Sequence, residues 1–148
     1  MWCSSLIIVC FVVSAVQSSC PINYSLWQDG KCYRVANVHS ISFVRALKLC
    51  QDENATLPSL HSAAQTANLF NYVKSTYGLP RYWLGLECGK ATNYENIWTD
   101  GSQIDYTPLA LKSCHCHALY YFQQSSTMWT IADSLYERQV ICQATVDR

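Results

Sequence analysis

The sequence predicts an α+β domain in which two helices and a set of short antiparallel strands are stapled together by disulfides. Apolar residues recur at helical spacing twice, over residues 43–50 and 63–77. Elsewhere, short runs rich in aromatic and β-branched residues lie between turn residues, as strands do. Seven of the nine cysteines follow residue 18, which is typical of an extracellular disulfide framework.

The first 18 residues are interpreted as a signal peptide. Leu6 to Val13 form an apolar core of eight residues, and small residues follow it. We expect cleavage after Ala15 or Ser18, which leaves residues 19–148 as the mature domain. The apolar core falls short of the roughly 20 residues that span a bilayer as a helix. No later run approaches that length, so we expect a secreted, extracellular protein without a membrane span.

The charge balance argues against a nucleic-acid partner. Ten basic and ten acidic residues give a formal net charge of zero, so no polybasic surface for nucleic acid or anionic lipid is indicated. The mature length is sufficient for one domain with its own core. Two sequons, Asn23-Tyr24-Ser25 and Asn54-Ala55-Thr56, predict glycosylation at Asn23 and Asn54.

The run from Arg81 to Cys88 predicts a buried central strand, because its aromatic and aliphatic residues have no helical period. Gly85 would weaken an ordinary strand, so we expect it to let another backbone or ring approach closely. A hairpin is predicted over residues 20–35, since Asp29-Gly30 is a strong turn signal between strand formers. Further short strands are predicted from residue 96 into a turn at 101, and over 116–122, 128–131 and 138–144.

Caps and apolar stripes predict the two helices. Ser40 or Ser42 caps the first, whose inward face comprises Phe43, Ala46, Leu47 and Cys50. Ser62-Ala63-Ala64-Gln65 is a capping box that opens the second, in which each side chain satisfies the other residue's backbone N–H. Gly78 and Pro80 end this helix. Its predicted apolar stripe comprises Ala63, Ala67, Phe70, Val73 and Tyr77.

Taken together, these motifs resemble a C-type lectin-like domain over essentially the whole mature chain. They occur in the family's order: Cys20-Pro21, Gly30-Lys31-Cys32-Tyr33, Ala46 to Cys50, Ser62-Ala63-Ala64-Gln65, Tyr82-Trp83-Leu84-Gly85-Leu86, Trp98-Thr99-Asp100-Gly101-Ser102, Trp129 and Ile141-Cys142. The resemblance implies two helices that flank a small twisted antiparallel sheet. It also implies non-catalytic recognition, with which a role in innate immunity or surface-glycan binding is consistent.

The resemblance implies two disulfides, Cys20–Cys32 and Cys50–Cys142. The family's inner bridge cannot form in its usual way, because Ser134 stands where its second cysteine would be. We expect Cys88 to pair with Cys114 or Cys116 instead. The cysteine left over is either a buried free thiol or the link of a disulfide-bonded dimer.

The calcium motifs of sugar-binding relatives are missing from this chain. Where such relatives carry Glu-Pro-Asn or Gln-Pro-Asp, Pro108 lies between Thr107 and Leu109, and in place of Trp-Asn-Asp the strand reads Trp129-Thr130-Ile131. Ca²⁺ takes about six to eight oxygen ligands, most of which those motifs supply. We therefore expect no calcium-dependent sugar site, no other metal and no cofactor. The remaining acidic residues are expected to cap turns or face solvent: Asp100, Asp105, Asp133 and Glu137.

The segment Cys114-His115-Cys116-His117 has the ligand types of a zinc site. Adjacent residues of a strand point to opposite faces, so at most alternate members of this segment could bind one metal ion. In a secreted chain, disulfide formation is the favoured interpretation. A nucleophile pair of Cys116 and His117 lacks a third orienting group. Tyr94 and Tyr106, which fall in predicted loops, are the candidate binding residues, because exposed aromatic rings favour sugar and protein contacts.

The function that these observations favour is recognition of an extracellular protein or glycan through the loops between Cys88 and Cys116. Two alternatives stay open. One is a calcium-dependent carbohydrate-binding lectin that uses a non-standard set of ligands. The other is a disulfide-linked dimeric structural or interaction protein. An enzyme is disfavoured, because the sequence shows neither paired carboxylates nor a nucleophile constellation.

Overall fold

The computed structural model describes residues 19–78, 81–88, 95–108, 118–123, 126–133 and 135–146. The predicted signal peptide lies outside these residues. In chain order the elements are β1 (Ser25–Leu26), β2 (Cys32–Val35), α1 (Phe43–Gln51), α2 (Ala63–Tyr77), β3 (Leu86–Cys88), β4 (Asn96–Trp98), β5 (Ala118–Gln123), β6 (Ser126–Asp133) and β7 (Ile141–Ala144). The α+β class predicted from the sequence is confirmed.

Within the described residues the strands form three small antiparallel sheets, whereas the family resemblance implied a single small sheet. β1, β2 and β7 make the first sheet, β3 pairs with β4, and β5 pairs with β6. The hairpin predicted around Asp29-Gly30 is confirmed, with Leu26 opposite Cys32. Isolated bridges, such as Tyr82 against Gln139, lie outside these strands.

The run predicted to be a central strand is extended and buried, but only its last residues pair as a strand, in β3. Its side chains alternate between two apolar clusters. Trp83 packs in a cluster with α1, whereas Tyr82, Leu84 and Leu86 pack in a second cluster with α2. This run therefore separates the two halves of the core, which is the central position that its composition predicted.

Gly85 occupies the point of closest packing in this run. A Cβ atom at this position would lie 2.7 Å from Thr99 Oγ1 and 2.9 Å from the carbonyl oxygen of Leu57. The Gly85 N–H donates to Pro58 O at 2.8 Å, and its carbonyl accepts from Thr99 N–H at 2.8 Å. The expected close approach of another backbone is thus present, and it joins the residues before α2 to those after β4.

The second helix begins and ends as predicted, but its buried face differs from the prediction. The Gln65 N–H donates to Ser62 Oγ at 3.1 Å, and Gly78 ends the helix with a left-handed φ of 62°. The Gln65 side chain accepts from His61 N–H rather than from Ser62. Val73 is buried and Phe70 is half-buried against the second apolar cluster, as predicted, but Ala63 and Tyr77 are exposed. The other buried residues of the helix are Thr66, Leu69 and Tyr72.

Tertiary aromatic contacts explain which face of α2 is buried. The ring of Tyr72 lies 4.9 Å from that of Trp27 and 5.8 Å from that of Tyr33. These partners come from the hairpin, so the pattern within the helix does not reveal them. Tyr77, at the end of the predicted stripe, is 44% exposed.

Both disulfides implied by the family resemblance are present. Cys20 is bonded to Cys32, and Cys50 of α1 is bonded to Cys142 of β7. The second closes a loop with a sequence separation of 92 residues and fixes the first helix to the last strand. The two ends of the domain are thereby held together.

Candidate functional site

The described part of the loop region between Cys88 and Cys116 stands on an aromatic base. Trp98 at the end of β4 and Trp129 in β6 are almost fully buried, and their rings meet edge to face at 5.6 Å. Tyr106 is half-buried, with its ring edge-on to Trp129 at 5.8 Å. Part of this candidate binding residue therefore packs against the base. Tyr94, the other candidate, lies outside the described residues.

A histidine from the start of α2 holds the segment of residues 99–106, which we call the loop segment. His61 Nδ1 lies 2.7 Å from Asp105 Oδ1, and His61 Nε2 lies 3.2 Å from Ser102 Oγ. The imidazole also lies 5.9 Å from the ring of Trp98. The backbone N–H of His61 donates a hydrogen bond to Gln65 Oε1 at 2.7 Å. The hydrogen bonds that cap α2 therefore also position this histidine.

Ser102 continues this chain of contacts to a second carboxylate. Its hydroxyl donates to Asp100 Oδ1 at 2.6 Å, and its backbone N–H donates to the same oxygen at 3.0 Å. These bonds make an Asx turn, so the expectation that Asp100 caps a turn is met. The result is a row of four side chains, Asp105, His61, Ser102 and Asp100, which we call the loop relay.

Polar groups beneath the loop relay connect it to the core. Ser59, which is 2% exposed, accepts from Gln143 Nε2 at 3.3 Å. Lys31 Nζ donates to Ser59 O at 2.8 Å and to Gln143 Oε1 at 3.2 Å. Burial lowers the pKa of Lys31, which the charges of Asp29 and Asp100 partly offset. The loop segment therefore rests on a hydrogen-bonded layer as well as on aromatic rings.

Both carboxyl groups of the loop relay favour the ionised form. The hydrogen bond from His61 lowers the pKa of Asp105, whose side chain is 58% exposed. Burial works against ionisation of Asp100, but hydrogen bonds from Ser102 and Ser59 and the charge of His61 outweigh it and lower its pKa. Asp105 and Asp100 are therefore carboxylates, and both act as hydrogen-bond acceptors.

The order Asp105, His61, Ser102 resembles the acid–base–nucleophile arrangement of serine hydrolases, an arrangement that no motif in the chain predicts. In such enzymes the serine hydroxyl donates its proton to the histidine. Here the Ser102 hydroxyl lies closer to the ionised Asp100 than to His61, so its proton is already donated elsewhere. The arrangement is therefore suited to holding the loop segment rather than to nucleophilic attack.

The structure describes most of the positions that correspond to the missing calcium motifs. Trp129 belongs to the aromatic base, and Thr130, which follows it, is partly exposed. Asp133 accepts from Leu135 N–H at 2.8 Å, so it caps a turn as expected. In the part of the chain that the structure describes, no group of three or more His, Cys, Asp or Glu residues is placed to hold a metal ion.

Three residues that bear on the predicted third disulfide, Cys114, Cys116 and Ser134, fall outside the described residues. The pairing of Cys88 therefore stays a prediction.

The two predicted glycosylation sites, Asn23 and Asn54, are both exposed and have left-handed φ values of 70° and 55°. None of the helices in the described ranges is long and apolar enough to cross a bilayer.

Sequence reasoning missed the contact between His61 and Asp105. The two residues are 44 positions apart, and neither belongs to a motif that indicates a pair. The only local signal is that His61 directly precedes the capping box, which fixes the direction of the chain at the start of α2. Its partner is supplied by the fold.

Two helices, small antiparallel sheets, a disulfide between α1 and β7 and a loop region on an aromatic base define a lectin-like binding domain. The chain belongs to the C-type lectin family, since it matches the lectin C-type domain over residues 39–144. Family and fold are those of binding modules that are generally not enzymes.

Individual relatives agree with this assignment. C-type lectin 1 of Hydrophis hardwickii is 29% identical over 106 residues, which cover 69% of this chain and 63% of that protein. The crystal structure of C-type lectin CEL-I from Cucumaria echinata superposes with a TM-score of 0.73 at 26% identity, covering 86% of this chain and 99% of the other. A calcium-independent type II antifreeze protein has the same fold, with a TM-score of 0.72 at 19% identity and coverage of 88% and 97%.

Proposed function

We propose that this protein is a secreted recognition module that binds an extracellular glycan or protein without the calcium-dependent sugar site of its relatives. The ligand-binding face is formed by the loops between Cys88 and Cys116. The observation that carries this proposal is the state of the acidic side chains in and beside this region. Asp105, Asp100 and Asp133 are each engaged by a donor from the protein itself.

The residue types at the calcium motifs support the same conclusion. Ile131 has no side-chain oxygen, and Thr130 offers a hydroxyl where sugar-binding relatives have an amide. Pro108 has Thr107 and Leu109 beside it, so the two positions that flank this proline carry neither a carboxylate nor an amide side chain. Ca²⁺ prefers several carboxylate and carbonyl oxygens, and binding weakens as their number falls. The antifreeze protein described as calcium-independent shows that the fold is compatible with such a state.

A calcium titration of the folded protein tests this proposal. We expect no heat of binding and an unchanged melting temperature, because a ligand raises stability only if it binds the native state. The variant T130N/I131D, which restores the Trp-Asn-Asp sequence, serves as a matched comparison and is expected to bind calcium more tightly than the parent. Saturable calcium binding by the parent, with a raised melting temperature, would contradict the proposal and favour a lectin with a non-standard set of ligands.

A covalent dimer is the second candidate, and the cysteine count favours it. Four of the seven cysteines after residue 18 form the two described disulfides, which leaves the odd set Cys88, Cys114 and Cys116. Pairing within this set leaves one thiol for a second copy of the chain. A non-reducing gel of the secreted protein distinguishes the two states. A monomer band would exclude the disulfide-linked dimer.

The exposed turns at Asn23 and Asn54 support glycosylation in the secretory pathway. Attachment needs a sequon at the surface of a secreted chain, and both asparagines meet the surface requirement. Enzymatic removal of N-glycans from the secreted protein is expected to reduce its mass. An unchanged mass would show that neither sequon is used.

A further inference from the structure

The loop relay joins two carboxylates through a titratable ring and a hydroxyl, an arrangement that packing alone does not require. Asp105 comes from the end of the loop segment and Asp100 from its beginning, while His61 comes from the start of α2. The three contacts measure 2.7, 3.2 and 2.6 Å along the row. Each is within hydrogen-bond distance, so the number of protons in the row decides how many of the bonds can form.

The protonation form of His61 determines whether all three hydrogen bonds of the loop relay can form together. The ionised Asp105 needs a hydrogen from Nδ1, and the ionised Asp100 takes the only hydroxyl hydrogen of Ser102. The contact between Nε2 and Ser102 Oγ then has a donor only when Nε2 also carries a hydrogen. All three hydrogen bonds therefore exist together only with a doubly protonated imidazole. A neutral ring leaves lone pairs facing each other at one contact.

The other charges around His61 act mainly through Asp100. Lys31 lies below the relay on the hairpin side, bound to Ser59 and Gln143, and interacts with Asp100 and Asp29. Trp98 of β4 and Gln65 of α2, which also pack or bond near His61, are neutral. The two carboxylates of the loop relay, Asp105 and Asp100, therefore determine its charge balance.

We propose that His61 is the positioning residue of the loop segment, and that protonation of its imidazole completes the loop relay and holds this segment against α2. The segment is held firmly at acidic pH and more loosely at neutral and alkaline pH. Because the held state carries the additional proton, its stabilisation is present at acidic pH and declines as pH rises. Any effect on ligand binding also rests on the recognition function proposed above, but the change in the loop segment does not.

Backbone hydrogen exchange of the loop segment tests this inference without a ligand. The amides of Thr99, Gly101 and Ser102 are hydrogen-bonded, to Gly85 O, Trp98 O and Asp100 Oδ1, so their protection can be measured. After correction for intrinsic exchange, we expect protection to fall on the order of tenfold between about pH 5.5 and pH 8, which corresponds to one charge-assisted hydrogen bond. An equal protection at both pH values would overturn the proposal.

Two variants and one spectrum separate positioning from a merely structural role. H61Q cannot titrate and is expected to lose the pH dependence, whereas H39Q changes an exposed histidine outside the relay and is expected to keep it. In the parent at acidic pH, imidazole ¹⁵N spectra should show hydrogens on both nitrogens of His61. If H61Q kept the parent's pH profile, or if His61 stayed singly protonated at about pH 5.5, the inference would be wrong. The spectrum decides the question even if H61Q does not fold.

Discussion

At the scale of single residues, the packing around Gly85 depends on the absence of a side chain. Gly85 was expected to permit a close approach, and its site has no room for a Cβ atom. The atoms that fill this room include the backbone of Leu57, which cannot rotate away as a side chain can. By contrast, no single residue indicated the pair of His61 and Asp105, because its partners meet only in the folded chain.

Gly85→Ala is therefore expected to destabilise the domain by about 1–3 kcal/mol, the range seen when extra atoms are forced into a packed core. Denaturant unfolding measures this change. The double variant G85A/T99A removes the Thr99 oxygen at 2.7 Å but keeps the Leu57 carbonyl at 2.9 Å, so we expect only partial recovery. A G85A protein as stable as the parent would show that the backbone at this position can move apart without cost.

At the scale of elements, local caps and turns predicted where a helix begins and ends, whereas tertiary contacts determine which of its faces is buried. Ser62 and Gly78 bound α2 as expected, since both signals act within one turn of the helix. The predicted buried stripe was only partly right, because Trp27 and Tyr33 pack against Tyr72, which lies outside that stripe. Periodicity identifies an amphipathic helix, but the partner determines which of two adjacent stripes is buried.

The two helix N-caps give a matched pair of substitutions. Ser62→Ala removes a hydrogen bond to Gln65 N–H and is expected to cost about 0.5–2 kcal/mol. Ser42→Ala is expected to cost clearly less, because the side chain of Ser42 makes no capping hydrogen bond to α1. Thermal or denaturant unfolding of both variants checks the order. An equal loss in both would show that the serine side chains act through something other than capping.

The disulfides provide a second comparison between elements. The chain-entropy estimate is about 4–5 kcal/mol for Cys50–Cys142, with a sequence separation of 92 residues, and about 3 kcal/mol for Cys20–Cys32, with a separation of 12. We expect C50A/C142A to lower the free energy of unfolding more than C20A/C32A does. The reverse order would mean that native packing around these bonds, rather than loop closure, determines their contribution.

At the scale of the whole molecule, the motif series predicted the fold because each motif has a structural cause. The Cys50–Cys142 disulfide fixes α1 to β7, and the aromatic run lies between the two apolar clusters. The division into three sheets did not follow from the sequence, because strand signals do not state which strands become neighbours. The loop relay was unpredictable for the same reason, since it joins residues from two separate segments.

The proposed function is recognition of an extracellular ligand without calcium. Glycan and protein arrays, probed with the folded protein in the presence of calcium and again with a chelator, measure whether binding needs the ion. We expect the same ligands to be bound under both conditions, because the acidic groups of the described loop segment are engaged within the protein. Binding that appears only with calcium, or a folded protein that binds nothing on either array, would contradict the account.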